Sequence, residues 1–172
     1  MTGQAAHDEN PDLRDAFRQA MRRLAGSVAI LTTEEAGLPR GIVVTAVMSL
    51  TMAPAALVVA VNRTSSISGP LSSGRAFCVN LLGRHHAAMC ADFAGLPVDS
   101  RFGVGDWART GHGLPYLRDA QTVVICEQGP VHEFGTHRLI IGLAKEILLG
   151  PDVDPLVYAD GGYARLSSID GL

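Results

Sequence analysis

Lysine is almost missing from this chain. Of the 14 basic residues only Lys145 is a lysine, the net charge is −3, and no basic run or Lys/Arg-rich face is present. A protein that binds nucleic acid through its phosphates needs such a face. The composition therefore argues against a nucleic-acid partner.

Long apolar runs and cysteine pairs are also missing. No window of about 18 uninterrupted apolar residues occurs, so we expect no membrane span. The first residues lack the basic and apolar stretches of a signal peptide, which predicts a cytoplasmic protein. Cys78, Cys90 and Cys126 are odd in number and show no C-x-x-C spacing, so we interpret them as reduced, mostly buried side chains. A catalytic thiol is the less favoured alternative.

Familiar catalytic and metal-binding motifs are absent as well. His132 and His137 stand one residue too far apart for a metalloprotease helix, and Gly135 would interrupt that helix. His86 and Cys90 have the spacing of two ligands on one helix face, but no second clear pair follows. No dinucleotide fingerprint, P-loop or nucleophile elbow is present. We predict no metal site.

The residues that are abundant indicate one globular domain. Hydrophobic residues make up 47% of the 172 and charged residues 18%, which excludes disorder of the whole chain. We predict a mobile N-terminal arm over residues 1–9 and a domain over residues 10–172. Asn10 is a suitable cap for a helix that ends near Gly26. The apolar residues of this helix fall on one face at helical spacing: Leu13, Phe17, Ala20, Met21 and Leu24.

After the helix the pattern changes to short segments rich in β-branched residues. The predicted strands cover residues 27–33, 41–50, 56–61, 76–82, 122–126, 137–148 and one or two within 155–166. Turns are expected at 34–39, at Gly129 with Pro130, and at Gly135. A short helix is expected over 85–93 and an irregular connection over 95–118. The first four strands have no helices between them, which favours an antiparallel barrel or sandwich.

Small hydroxyl and amide groups concentrate in one strand and one loop. A regular strand would place Thr45, Val47, Ser49 and Thr51 on one face, with Ala46, Met48 and Leu50 on the other. The loop Asn62-Arg63-Thr64-Ser65-Ser66 offers hydroxyls, backbone amides and a guanidinium, which together can hold a phosphate. From the residues alone, an ordinary solvated turn is the stronger interpretation of this loop.

Eight fragments of the chain, in order, resemble the flavin reductase family with the split-barrel, FMN-binding fold. The similarity runs from about Phe17 to Leu166. The fragments are LAGSVAILTT at 24–33, TAVMSLTMAP at 45–54, VNRTSS at 61–66, FCVNLL at 77–82, FAG at 93–95, RF at 101–102, GTHRLIIG at 135–142, and PLVY at 155–158 with Gly162-Tyr163. Each fragment is weak alone, but their order and spacing are specific.

The resemblance implies a mainly β fold, a Greek-key antiparallel split barrel with a few short helices. It implies hydride transfer from NADH or NADPH to FMN or FAD, for which the protein supplies geometry and electrostatics. His137 is the implied catalytic residue on the nicotinamide side, although a simple hairpin cap is the alternative. The implied cofactor-binding residues are Thr45, Ala46, Val47, Met48, Ser49, Thr51, Asn62, Arg63, Thr64, Ser65, Ser66, Asn80, Phe93, Ala94, His137 and Tyr163.

The resemblance also implies a homodimer and an oxygenase component that receives the reduced flavin. Four places depart from the common pattern: Ala53-Pro54-Ala55 where Asp-Pro-Pro is common, Met48, Thr136, and the segment Ala159-Asp160-Gly161-Gly162, which is less basic than usual. Two alternatives stay open: a flavoprotein of the same barrel with another acceptor, such as a corrinoid or a metal chelate, and a flavin carrier without turnover. The sequence leaves open the choice of flavin, the choice of nicotinamide, the identity of the oxygenase and whether the flavin stays bound.

Overall fold

A capped helix opens the chain, as the sequence predicts. The computed structural model describes residues 10–167 and residue 169, so the arm predicted over residues 1–9 lies outside the described residues. Helix α1 spans Pro11–Arg22, and the side chain of Asn10 accepts hydrogen bonds from the backbone N–H groups of Asp12 and Leu13. No residue of α1 is buried, so the apolar face of this helix does not pack into the core.

Antiparallel strands make up most of the remaining chain, which confirms the mainly β prediction. They are β1 Gly26–Ser27, β2 Ala29–Glu35, β3 Leu38–Val44, β4 Val47–Met52, β5 Ala55–Asn62, β6 Phe77–Leu81, β7 Trp107–Arg109, β8 Pro115–Leu117, β9 Thr122–Phe134, β10 His137–Leu149, β11 Val157–Ala159 and β12 Gly162–Ala164. Two further α-helices are α2, Ser68–Ser72, and α3, Ala87–Gly95. Turns of 3₁₀ helix cover Arg84–His86 and Val98–Gly103. No helix in the described part of the chain is long and apolar enough to cross a membrane.

Seven strands form the main sheet, in the order β3-β2-β6-β9-β10-β5-β4. The two edge strands, β3 and β4, are consecutive in the chain and are joined only by Thr45 and Ala46. The single strand predicted over residues 41–50 is therefore wrong: it is two strands at opposite edges of one sheet. Each edge strand pairs with one neighbour only, so its outward backbone groups have no strand partner along this split.

Two of the predicted turns also differ from the structure. The turn between β2 and β3 is only Ala36 and Gly37, both with positive φ, as a tight hairpin requires. Gly129 and Pro130 do not turn the chain. The ladder passes from Ile140 opposite Val131 to Gly142 opposite Gln128, so these two residues form a bulge inside the long strand β9.

Two apolar clusters pack on opposite faces of the central strands. Ile30 and Cys78 face one cluster, while their neighbours Leu31 and Val79 face the other. Burial on both faces explains why these strands are continuous apolar runs without alternation. All three cysteines are free and buried, as predicted. Burial raises the pKa of the Cys78 and Cys126 thiols to about 12, which disfavours the thiolate that a nucleophile needs.

Candidate functional site

A cavity of 460 Å³ opens at the split between the two sheet edges. We call it the rim cavity. It is bounded by the end of β3, the Thr45–Ala46 connection, the end of β5 and the start of β10. The residues that line it are Ile42, Val43, Val44, Thr45, Ala46, Ala60, Asn62, Ser65, Ala94, Arg101 and His137. Six of the predicted cofactor-binding residues therefore meet here: Thr45, Ala46, Asn62, Ser65, Ala94 and His137.

The predicted phosphate loop is a structured turn at one end of this cavity. Asn62 Oδ1 accepts hydrogen bonds from the backbone N–H of Thr64 at 3.0 Å and from its hydroxyl at 2.9 Å. The backbone N–H of Arg63 donates to Thr136 O on the neighbouring hairpin. Asn62 thus holds the loop in shape from within, a common use of asparagine in turns.

Two hydroxyl groups of this loop are buried without a partner. Ser65 Oγ and Ser66 Oγ are closed to solvent and meet no hydrogen-bonding group in the described part of the chain. A buried polar atom without a hydrogen bond costs stability, so native proteins rarely keep one without a reason. These hydroxyls fit a ligand that brings its own hydrogen-bonding oxygens.

Arg63 itself points away from the rim cavity. Its guanidinium lies 3.8 Å from Glu133 Oε2 on the exterior, and Glu133 also receives a 2.7 Å hydrogen bond from Arg138. This competition, together with the exposure of the Arg63 side chain, makes the Arg63 ion pair weak. Its assignment as a phosphate ligand therefore requires the side chain to turn, and it stays a prediction.

The rim cavity contains a cation that the sequence prediction left out. Arg101 donates to Gly41 O at 2.9 Å and to Leu96 O at 3.2 Å, and its guanidinium lies 5.9 Å from the ring centre of Phe93. These contacts hold a positive charge in place at the cavity wall. The Arg-Phe fragment at 101–102 is part of the resemblance, but the sequence alone does not show in which direction the Arg101 side chain points.

His137 lies where the resemblance implies, at the first position of β10. It follows the two-residue turn Gly135–Thr136, in which Gly135 has a positive φ of 55°. Its Nδ1 lies 2.9 Å from Thr136 Oγ1, and its exposed ring lines the rim cavity. The hydrogen bond orients the ring without burying it, so the ring can meet a second ligand at the cavity mouth.

The predicted flavin strand is divided between two surfaces. Thr45 and Ala46 line the rim cavity. The other four residues, Val47, Met48, Ser49 and Thr51, line a separate and largely apolar pocket of 250 Å³. The ladder between β4 and β5 shifts register between Ser49 and Thr51, so the strict alternation that we expected does not hold. Thr51 Oγ1 accepts a hydrogen bond from Ala53 N in the following turn.

Two predicted flavin contacts belong to the core instead. Asn80 is fully buried: its side-chain nitrogen donates to Ile30 O and Thr32 Oγ1, and its Oδ1 accepts from Leu117 N at 2.8 Å. Phe93 is also fully buried and packs against Phe102 and Trp107. In this structure both side chains are closed to solvent and make their contacts within the core, so the geometry does not support them as flavin contacts and their assignment stays a prediction. Asn80 joins β2, β6 and β8, which is a structural role.

Tyr163, which the resemblance assigns to cofactor binding, makes a different contact in this structure. The Tyr163 hydroxyl donates to Cys90 Sγ at 3.2 Å, and burial together with this hydrogen bond raises the pKa of Tyr163. The ring packs edge-to-face on Tyr158, with centres 5.8 Å apart. Tyr158, which the sequence analysis quotes in the PLVY fragment but does not assign to the site, lines an open groove beside the rim cavity.

One acid–histidine cluster lies away from the rim cavity. His86 Nε2 is 3.1 Å from Asp119 Oδ1, and His85 Nε2 is 3.8 Å from Asp119 Oδ2. His86 Nδ1 accepts a hydrogen bond from Gly83 N, so in the neutral ring the proton resides on Nε2. Nε2 is close to Asp119 Oδ1 but makes no hydrogen bond with it or with any other group in the described residues. The cluster is therefore best described as a buried histidine with an acidic neighbour.

Comparison with known proteins adds the family to this geometry. The sequence profile of the Flavin reductase like domain matches residues 21–167. The chain belongs to this family. It is 36% identical over 152 residues, 88% of this chain and 76% of the relative, to an FMN reductase (NADH) of Methylorubrum extorquens, RutF 1.

Solved structures of flavin reductases have the same fold. The flavin reductase PheA2 superposes with a TM-score of 0.79 at 28% identity, covering 90% of this chain and 98% of that protein. BorF, the flavin reductase component of a bacterial two-component tryptophan halogenase, superposes with a TM-score of 0.81 at 22% identity, covering 91% and 99%. The split-barrel prediction is confirmed by this likeness.

The residues of the rim cavity fit a flavin nucleotide. The edge strands offer backbone donors and acceptors for the polar edge of the ring, and the partnerless hydroxyl of Ser65 suits a phosphate. Arg101 supplies positive charge. The family and the geometry therefore agree on the class of ligand.

Proposed function

We propose that this protein is an NADH-dependent flavin reductase that acts on FMN and supplies the reduced flavin to a partner oxygenase. The observation that carries the proposal is the rim cavity, where Ser65, Arg101 and His137 lie beside the end of β3 and the Thr45–Ala46 connection. A relative at 36% identity is an FMN reductase that uses NADH, and this supports the choice of both nucleotides. FAD and NADPH stay the alternatives.

When bound, the flavin supplies a ring that accepts a hydride from the reduced nicotinamide. The chain's own contribution is binding and orientation. The connection at Thr45 and Ala46 is tied to β5 by the 3.0 Å hydrogen bond from Ala60 N to Ala46 O, so the cavity wall is rigid where the ring would rest. Donors held in place there favour the negative charge that a reduced ring carries, and the guanidinium of Arg101 adds to this effect.

His137 has a positioning role in this proposal. Its ring faces the cavity mouth, and its Nδ1 is engaged with Thr136, so the ring forms a wall for the nicotinamide. Hydride transfer itself consumes no proton from the protein, and we therefore assign no proton transfer to His137. Loss of the ring disturbs the approach of the nicotinamide and leaves the flavin contacts in place.

We also propose that the protein acts as a homodimer in the cytoplasm. Met48, Met52 and Ile147 are exposed around the apolar 250 Å³ pocket on the β4 and β10 surface, with Met52 82% exposed, and Leu149 at the end of β10 is exposed as well. Contiguous apolar surface of this kind marks a protein interface. A second copy of the chain on this face would cover β4. The flavin contacts predicted from the sequence include four residues of this strand: Val47, Met48, Ser49 and Thr51.

A steady-state assay tests the proposed function. Purified protein is mixed with NADH or NADPH and with FMN or FAD, and the loss of absorbance at the NADH band is followed for the four combinations. The proposal expects the fastest turnover with NADH and FMN. Tight flavin binding without NADH oxidation would instead support a flavin carrier.

A further inference from the structure

A groove of 850 Å³ runs between helix α1 and the barrel, and we call it the α1 groove. It meets the rim cavity at three shared residues, Thr45, Asn62 and His137. The groove's other lining residues are Arg14, Phe17, Arg18, Met21, Arg22, Leu24, Thr136 and Tyr158. A ligand that enters the rim cavity past His137 can therefore continue along α1.

The groove combines positive charge with apolar and aromatic surface. Arg14, Arg18 and Arg22 follow one another at intervals of four residues, which places them along one side of the helix. Phe17 and Leu24 stay 62% and 69% exposed although they belong to the apolar face of α1. Among the residues that line the groove there is no carboxylate. The surface is complementary to a ligand with negative charge and a flat apolar part.

Helix α1 is attached to the domain at its C-terminal end. Arg22 Nε lies 3.2 Å from Asp160 Oδ1, and a second guanidinium nitrogen donates to Asp160 O at 2.9 Å. The backbone N–H of Asp160 in turn donates to Arg22 O at 2.7 Å. These reciprocal bonds hold the helix beside the β11–β12 hairpin, so the groove is a built feature of the fold.

Arg18 can reach a ligand at little cost. Its ion pair with Asp15 is 3.1 Å long, but both side chains are more than half exposed and stand three residues apart on the helix. Exposed pairs of this kind contribute little to stability. An arginine in such a pair exchanges it readily for a phosphate, to which it makes stronger, bidentate hydrogen bonds.

We propose that the α1 groove binds the diphosphate and adenosine of the nicotinamide dinucleotide, with Arg14 and Arg18 on the diphosphate and Phe17 and Met21 beside the adenine. This inference rests on the proposed function. The nicotinamide has to lie at His137, and the rest of NADH needs a neighbouring surface. FMN has no adenosine. In an FMN reductase the adenosine that needs a binding surface therefore belongs to the hydride donor, NADH.

The test uses the Arg14→Ala/Arg18→Ala double variant, with Arg109→Ala as the matched control because Arg109 lines a different cavity. The hydride donors are NADH and reduced nicotinamide mononucleotide, which lacks the AMP half. We expect the KM for NADH to rise roughly tenfold or more. The kinetics with the mononucleotide, the kcat with NADH and the FMN dissociation constant should stay unchanged. Calorimetry with ADP-ribose on the flavin-free protein should show binding to the wild type and the control, and loss of binding in the double variant.

Three results would overturn the inference. One is an unchanged KM for NADH with ADP-ribose still bound. Another is an equal loss with both hydride donors, which would mean that the arginines act through the shape of the helix. A third is weakened FAD binding with NADH unaffected, which would assign the groove to the adenosine of the flavin. Failure of the proposed function looks different, because the wild-type protein itself would then oxidise no NADH.

Discussion

His137 and Asn62 lie directly opposite each other in the ladder between β10 and β5. The two strands meet at the barrel rim, where one residue orders the phosphate loop and the other presents its ring to the cavity mouth. Both also line the α1 groove. This single pair therefore joins the region that we assign to the flavin with the region that we assign to the nicotinamide.

Replacing His137 with alanine should impair hydride transfer and spare flavin binding. A bound reactant displaced by about 1 Å can lose on the order of a hundredfold in rate, so we expect a decrease between a few-fold and that limit. Stopped-flow reduction of bound flavin by NADH measures this, alongside a flavin titration.

The matched control for this experiment is His132→Ala, an exposed histidine on the adjacent strand β9. It should behave as the wild type. Unchanged reduction kinetics in His137→Ala would return His137 to the role of a hairpin residue. Loss of flavin affinity alone would place it among the flavin contacts.

Ser65→Ala should weaken flavin binding without destabilising the flavin-free protein. The hydroxyl is buried and has no partner in the described residues, so its removal takes nothing from the empty fold. A ligand phosphate would lose one hydrogen bond, worth about 1.5–3 kcal/mol when the partner is charged. Fluorescence titration with FMN and thermal unfolding of the flavin-free variant measure the two effects.

Ser72→Ala provides the opposite pattern as a control. Its hydroxyl donates to Ser68 O at 2.6 Å, so alanine should lower stability slightly and leave flavin affinity unchanged. If Ser65→Ala behaved like Ser72→Ala, Ser65 would be a structural residue of the loop.

Sequence reasoning predicted most of the strands but not how they join. The β-branched residues of 41–50 form one unbroken pattern, and nothing local marks the passage from one sheet edge to the other at Thr45 and Ala46. That break is a property of barrel closure. Likewise the pair Gly129-Pro130 has the chemistry of a turn, but tertiary pairing with β10 holds it as a bulge.

The same limit explains which site residues were found. Asn62 and His137 lie at the ends of strands and Ser65 lies in the loop that follows β5, where position in the chain is a good guide to position at the rim. Asn80 lies mid-strand, and sequence alone does not tell whether its amide faces a ligand or the core. Arg101 was missed for the reverse reason, because its direction is set by the carbonyls of Gly41 and Leu96.

Asn80→Ala should destabilise the fold. Three hydrogen bonds of the side chain join β2, β6 and β8 inside the core, and their loss leaves buried groups without partners. We expect the free energy of unfolding to fall by about 2–4 kcal/mol in urea titrations. The protein that stays folded should bind FMN with wild-type affinity. A stable variant with weakened flavin binding would restore Asn80 to the site.

The double variant Met48→Glu/Met52→Glu should convert a dimer into monomers. Charges placed on this exposed apolar surface oppose its burial against a second copy. Light scattering at micromolar concentration gives the mass, and circular dichroism checks the fold. Val153→Glu, at an exposed position outside this surface, should stay dimeric. A wild-type protein that is monomeric would refute the proposed homodimer.

Anaerobic mixing of the FMN-loaded protein with one equivalent of NADH tests the central claim most directly. In the absence of oxygen the reduced flavin accumulates, so the visible absorbance of FMN and the absorbance of NADH can be followed together. The account predicts that both disappear in a one-to-one ratio, far faster than in a mixture without protein, and that His137→Ala slows the process. Bound FMN that stays oxidised in the presence of NADH, at the rate of the protein-free mixture, would contradict it.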